Sequence, residues 1–186
     1  MTLLEMKKKV LQLIEEIDTS QTSLTSDPDI ATKINAVINQ VQFEVARIKK
    51  IPAVSEEEVT ASEIFELDML DNFYQLRLIC FQDASGNAAG FEIIDNMVLF
   101  SADGNATIFY YKFPKTITDS TTDDYKFELA KDALEVIPYG VAADLLKSDV
   151  STEYGAIYSQ RYETMLQRLD PRYSVGSISV EGGVDI

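Results

Sequence analysis

The chain has 186 residues, of which 46% are hydrophobic and 25% charged, so one folded domain with a sizeable core is expected. The formal net charge is −15, and residues 51–186 carry all of the excess, with 24 acidic against 9 basic side chains. This acidity argues against nucleic-acid binding, since nucleic-acid affinity comes largely from neutralising phosphates. No apolar run reaches the roughly eighteen residues of a membrane helix, and the charged N-terminus does not fit a secretory signal.

The first 50 residues predict a helical hairpin. Apolar side chains recur every three or four positions over residues 3–18 and again over residues 28–50, which is the period of an amphipathic helix. A linker rich in serine and threonine, residues 19–26, separates them. Ser26 or Asp27 would cap the second helix, with Pro28 in its first turn. Residues 51–72 are expected to form an acidic, irregular connecting arm.

The hydrophobic period changes to two over residues 73–114, which predicts an antiparallel β-meander. The expected strands are 74–81, 91–94, 97–100 and 107–113, and the dipeptide Asp95-Asn96 is typical of a two-residue hairpin turn. Because both faces carry apolar side chains, we expect one face to pack on the helices and the other on a neighbouring chain. Cys80, the single cysteine, is expected to be a buried thiol in the first of these strands.

Residues 115–170 predict the remaining helices of a bundle, one beginning at Pro138 and the last near Tyr154. Tyr154, Tyr158 and Tyr162 lie on one stripe of the last helix, with Arg161 beside them. Tyrosine suits half-buried contacts with one solvated end. The stripe is therefore either packed within the chain or part of a seam between subunits.

Residues 171–186 predict an extended C-terminal arm. Val175, Ile178 and Val180 stand among small polar residues, and this alternation indicates a strand without a partner nearby in sequence. Such a segment either adds to a sheet edge of another chain or stays a loose terminus. The predicted fold is mainly α: a bundle of about four helices that carries a small antiparallel meander and an extended arm.

Few residues are suited to catalysis or metal binding. The chain has no histidine, which removes Ser-His and Cys-His nucleophiles and histidine metal ligands. Asp119, Thr121 and Asp123 have the alternate spacing of a calcium loop, but Asp124 and Ala130 stand where glycine and glutamate belong. We expect no catalytic residue, no cofactor, no metal and no enzymatic activity.

Three stretches resemble the head–tail connector, or adaptor, proteins of tailed bacteriophages. The first is the N-terminal helical pair, which ends in Phe43-Glu44-Val45-Ala46-Arg47. The second is the hairpin at residues 96–114, which closes with Tyr110-Tyr111-Lys112-Phe113-Pro114. The third is Ile137-Pro138-Tyr139-Gly140-Val141-Ala142-Ala143-Asp144-Leu145-Leu146, followed by the helix that contains Tyr158 and Tyr162. The long acidic segment at residues 55–71 departs from the simplest family pattern.

The resemblance implies a structural protein of the virion, assembled in the bacterial cytoplasm. Proteins of this family form a ring, often of about twelve subunits, beneath the portal. The ring links the capsid to the tail while DNA passes through it. The implied partners are other copies, the portal and the next neck or tail protein, with no membrane and no specific nucleic acid. On this reading the interface candidates are Tyr110, Tyr111, Phe113, Tyr154, Tyr158, Tyr162, Arg161, Val175, Ile178 and Val180.

Three alternatives remain open. One is another phage structural role, such as a tail terminator, a tail-completion protein or a capsid accessory protein. Another is a soluble acidic inhibitor that mimics DNA, which predicts a stable monomer with carboxylates along one face. The last is an enzyme with a carboxylate site, which predicts a cleft with a raised aspartate or glutamate pKa.

Overall fold

The computed structural model describes residues 1–18, 24–147 and 153–169. It is an α+β fold in which 40% of the described residues are helical and 27% lie in strands. The helices are α1 (Leu3–Leu13), α2 (Pro28–Ile48), α3 (Lys131–Leu134), α4 (Ile137–Leu145) and α5 (Tyr154–Arg168). The strands are β1 (Ile51–Val59), β2 (Ile64–Glu66), β3 (Phe73–Asp83), β4 (Phe91–Ile94), β5 (Met97–Phe100) and β6 (Gly104–Lys112), with a 3-10 helix at Leu67–Met69. The prediction of a mainly α bundle with a small meander is therefore wrong.

The six strands form two antiparallel sheets of three, in the orders β1-β6-β3 and β2-β5-β4. The hairpin between β4 and β5 is confirmed, since Ile94 pairs with Met97 across Asp95 and Asn96. The predicted continuous meander is wrong, because β6 leaves the sheet of β5 and lies between β1 and β3. Turn residues specify a hairpin locally, but they do not say which distant strand completes a sheet.

Strand β1 occupies part of the segment that was predicted to be an irregular arm. Every residue from Ile51 to Val59 is paired with β6, and exposure alternates along the strand. Three consecutive glutamates, Glu56, Glu57 and Glu58, obscure this period in the sequence. Glutamate is depleted in strands, so the pairing with β6 overrides the local preference here.

The two sheets pack face to face on a core of their own. Ile79, Phe81 and Ile108 of the first sheet meet Val98 and Phe100 of the second, and the rings of Phe81 and Phe100 lie 4.8 Å apart. The inner face of the first sheet therefore packs on the second sheet. The packing of one face on another sheet was not predicted from the sequence.

The helices build a separate core, centred on α4. This helix is apolar nearly throughout, and Ile137 and Val141 in it are fully buried. Helices α1, α2 and α5 all pack on α4. Helices α1 and α2 each make their most extensive helix contacts with α4. The two helices of the predicted N-terminal hairpin are therefore joined mainly through α4.

Local signals account well for where α1 and α2 begin. Thr2 and Glu5 form a capping box at the start of α1. The predicted cap of α2 is confirmed, since the Asp27 side chain accepts hydrogen bonds from two backbone N–H groups and Pro28 follows it. Helix α1 ends earlier than residue 18, because Glu15 adopts a left-handed φ of 61° where glycine would be the usual signal.

Candidate interaction surfaces

An aromatic cluster joins the helices to the first sheet. The Phe113 ring lies 5.5 Å from that of Phe43 on α2 and 4.4 Å from that of Tyr74 on β3. The Lys50 ammonium lies 5.1 Å from the Tyr111 ring centroid, within range of a cation–π contact. Phe113 and Tyr111, two of the interface candidates, therefore contact other parts of the same chain at this junction.

Tyr110 lies in the core between the sheets. Its side chain is 4% exposed, its ring packs 5.9 Å from that of Phe73, and its hydroxyl donates to the Asp71 carbonyl over 3.4 Å. Burial, together with the nearby Asp71 carboxylate, raises the pKa of the Tyr110 hydroxyl. The structure leaves this residue almost no surface for a partner.

Two of the three tyrosines on α5 tie that helix to the rest of the bundle. The Tyr158 hydroxyl donates to the Leu13 carbonyl at 2.6 Å, and the Tyr162 hydroxyl donates to the Glu44 carboxylate at 3.0 Å. Burial raises the pKa of Tyr162, and the charge of Glu44 raises it further. Intramolecular packing therefore accounts for Tyr158 and Tyr162.

The other end of α5 is more open. Tyr154 and Ile157 are 55% and 52% exposed. The Arg161 guanidinium lies 4.4 Å from the centroid of the Tyr139 ring on α4, which is a cation–π contact within the chain. Of the candidates on this helix, Tyr154 presents the most area to a partner. Val175, Ile178 and Val180 lie outside the described residues.

The outer face of the first sheet carries an apolar row that the sequence did not reveal. Val54 of β1 pairs with Phe109 of β6, which in turn pairs with Leu78 of β3. Residues directly opposite one another in a sheet share a face, so these three side chains, here called the outer row, lie side by side. Val54 is 55% exposed, and the other two are half-buried. The row depends on the pairing of β1 with β6, which is why sequence patterns missed it.

Cys80 also lies on this outer face and is exposed, so the prediction of a buried thiol is wrong. The cause is an irregularity in β3: its register against β6 shifts between Leu76 and Leu78. An extra residue in one strand reverses the alternation beyond it. Leu76 thus packs on the core between the sheets, whereas Leu78 and Cys80 face outward.

The second sheet ends in an exposed edge strand. All four residues of β4 are exposed, among them the large apolar side chains of Phe91, Ile93 and Ile94. In the described part of the chain, β4 pairs on one side only, with β5. Exposed apolar edges are a template for further pairing, which monomeric proteins usually avoid.

The charge of the chain is concentrated on the sheets. Residues 51–112 contain eleven acidic side chains and two basic ones, whereas residues 1–50 contain seven of each. On β1, Glu56 and Glu58 share the outer face with Val54. The outer row therefore lies beside a strongly negative surface.

The described residues show little of what carboxylate or metal chemistry requires. They contain no group of three or more His, Cys, Asp or Glu side chains placed to hold a metal ion. A backbone hydrogen bond from Asn87 holds the pKa of the Asp83 carboxyl below its usual value, and a hydrogen bond from Lys49 does the same for the pKa of Asp132. Both shifts are opposite in direction to that of a carboxylate general acid. None of the described helices is long and apolar enough to cross a bilayer.

Comparison with protein-family models finds no match for the chain. Comparison with curated proteins likewise finds none. The assignment of a function therefore depends on the surfaces described above and on the sequence patterns.

Proposed function

We propose that the chain is a head–tail connector subunit of a tailed bacteriophage, which acts by assembly and not by catalysis. It would form a ring beneath the portal in the virion, assembled in the bacterial cytoplasm, and bind the portal on one side and the next neck or tail protein on the other. DNA would pass through the ring without being held. The observation that carries this proposal is the outer row of Val54, Phe109 and Leu78.

The outer row and the β4 edge together supply two different surfaces for neighbours. A contiguous exposed apolar patch is a usual mark of a protein–protein contact. Ring closure needs two unlike patches on each subunit, because the contact in a cyclic ring is head-to-tail. Val54 on the first sheet and Phe91 on the second belong to different sheets, which supports a contact of this kind.

The acidity of the sheets supports the passage of DNA. Residues 51–112 carry eleven carboxylates against two cations, and carboxylates repel phosphates. Such a surface would allow a duplex to slide through a channel without being trapped. The same acidity favours a second candidate, a soluble inhibitor that mimics DNA, since Glu56 and Glu58 project from one face of β1.

The strand content of the structure bears on one alternative, the tail terminator. A tail terminator is expected to be rich in strands. A chain with two three-stranded sheets is therefore more similar to a terminator than a helical bundle would be. The two N-terminal helices, of 11 and 21 residues, still favour the connector over the terminator.

The test is sedimentation velocity of the full chain, alone and then mixed with the portal protein encoded by the same genome. A discrete ring, or co-sedimentation with the portal, is the expected result. Val54→Glu should weaken the association, because it places a charge in the outer row at an exposed position that tolerates it. Thr60→Glu adds the same charge at an exposed position just after β1 and serves as the control.

A chain that sediments as a 20.8 kDa monomer at all concentrations and ignores the portal would contradict the proposal. If that monomer instead bound a purified DNA-handling enzyme and competed with duplex DNA for it, the inhibitor candidate would replace the connector proposal. Equal association of the Val54→Glu and Thr60→Glu variants with the portal would remove the outer row from the interface.

A further inference from the structure

A groove of about 630 Å³ runs between α1 and the segment at residues 127–135. Its floor is formed by Phe127, Leu129 and Leu134. Three lysines stand around this floor, and we call the site the lysine groove: its cations are Lys8, Lys9 and Lys131. On a chain of net charge −15 this is an unusual concentration of positive charge beside apolar side chains.

Two of these lysines are free to bind a partner. Lys9 is already paired, with its Nζ atom 2.9 Å from a Glu135 carboxylate oxygen. Lys8 and Lys131 are exposed and make no ion pair with any residue in the described ranges. Glu5, the other acid at the groove, accepts the hydrogen bond of the capping box at the start of α1. The groove thus retains net positive charge toward solvent.

The groove continues along α1 toward α4. A second cavity, of about 240 Å³, shares Lys9, Gln12 and Glu135 with the first and extends it to Tyr139. The 11 residues of α1 span about 16 Å at a rise of ~1.5 Å per residue. An extended segment rises ~3.3 Å per residue, so about five residues would fill that length. A length of this order suits a short extended peptide.

We propose that the lysine groove binds residues 180–186 of this chain, Val-Glu-Gly-Gly-Val-Asp-Ile. Glu181 and Asp185 would face Lys8 and Lys131, and the aliphatic side chains beside them would cover the apolar floor. Charged groups of opposite sign across a contact set its register and specificity. The segment combines acidic and aliphatic residues in the way that the groove requires, and its two glycines let the backbone lie close to the helix.

The segment is joined to the described part of the chain by a long connection. Leu169 is the last described residue, and eleven residues lead from it to Val180, which is up to ~36 Å when extended. In the proposed ring the neighbouring copy would donate the segment, so the choice of donor rests on the proposed function. The binding of the segment to the groove does not depend on the proposed function.

Zero-length carbodiimide cross-linking of the full chain tests the pairing directly, since it joins carboxylates to amines in contact. We expect cross-links from Glu181 or Asp185 to Lys8 or Lys131, well above those to Lys33 and Lys115, which are exposed elsewhere on the surface. Cross-links spread evenly over all exposed lysines, or none at the groove, would overturn the proposal. Mixing ¹⁴N and ¹⁵N protein identifies the donor: groove cross-links confined to one copy would support the pairing and count against the ring.

A labelled peptide of residues 178–186, added to the full chain, gives a second measurement by fluorescence anisotropy. The double variant Lys8→Glu/Lys131→Glu should weaken binding about twofold to thirtyfold, the loss expected for two exposed ion pairs. The single variant Lys33→Glu is the control and should bind as the parent chain does. A peptide with Glu181→Lys and Asp185→Lys should regain affinity for the double variant. Equal binding of the original peptide by all three proteins would contradict the proposal.

Discussion

The substitution Gly140→Ala tests how closely α5 is held on α4. A Cβ atom at this position would lie 2.8 and 2.9 Å from two carbons of the Tyr162 ring and 2.9 Å from a methyl carbon of Val41. Carbon atoms prefer separations of about 3.5–4.0 Å. The new methyl group would press on α2 and α5 at the same time. Moving one of these helices away would not relieve the contact with the other. Gly140 is therefore needed for its lack of a side chain.

Two opposing effects set the size of the change. Overpacking of a core costs about 1–3 kcal/mol, and three close contacts place this site toward the upper end. Alanine is favoured over glycine within a helix by about 1 kcal/mol. We expect Gly140→Ala to lower the free energy of unfolding by about 1–2 kcal/mol. Urea unfolding of the full chain at pH 7, followed by circular dichroism, measures it.

A double-mutant cycle with Tyr162→Leu gives the reason for the change as well as its size. Removing the ring should make most of the cost of Gly140→Ala disappear, a coupling of about 1 kcal/mol or more. Gly90→Ala is a control, since its Cβ would meet nothing closer than a serine oxygen at 3.6 Å. The reasoning is refuted if Gly140→Ala leaves stability unchanged, or costs the same whether or not the ring is present.

Three further predictions concern polar groups that hold the fold together. Gln42 is fully buried and donates to a backbone carbonyl of the loop after β6, so Gln42→Ala should lower the free energy of unfolding by about 2–4 kcal/mol in urea. Burial lowers the pKa of Lys112, but the hydrogen bond and charge of Glu128 outweigh it and raise that pKa above 10.5. The stability from this pair is present below pH 10.5 and lost as the pH rises through the raised pKa. Glu128→Gln should therefore lower the free energy of unfolding by about 1 kcal/mol at pH 7 and reduce the loss of that free energy at alkaline pH. An unaltered dependence of the unfolding free energy on alkaline pH would contradict the assignment. Because Lys49 lowers the pKa of Asp132 below 3.8, that contribution is lost as the pH falls below about 4, so Asp132→Asn should reduce the change in unfolding free energy between pH 5 and pH 2.

Elements with a strong local signature were predicted from sequence. The α2 helix has an apolar stripe of period near 3.6, an aspartate cap and a proline in its first turn, and it was expected at almost its observed bounds. The β4–β5 hairpin is marked by Asp95-Asn96 between two apolar runs. In both cases the residues that specify the element lie within a few positions of one another.

Elements stabilised by distant partners were not predicted. Strand β1 is read as irregular because of its three glutamates, and it is a strand because β6, more than forty residues later, pairs with each of its residues. The exposure of Cys80 depends on a register shift against the same β6. The interface candidates Tyr110 and Phe113 stand in apolar patterns that do not say whether the covering surface belongs to this chain or to another.

The sequence by itself determined most of the described helices and strands, the acidic surface and the scarcity of residues for histidine or zinc chemistry, because periodicity, capping and composition act over short stretches. Only the tertiary structure decided that the strands form two sheets on a separate core, and that the outer row of Val54, Phe109 and Leu78 exists. Which face of a strand is buried depends on pairing register, and a shift of one residue exchanges the two faces. That choice is made by contacts between residues far apart in the chain.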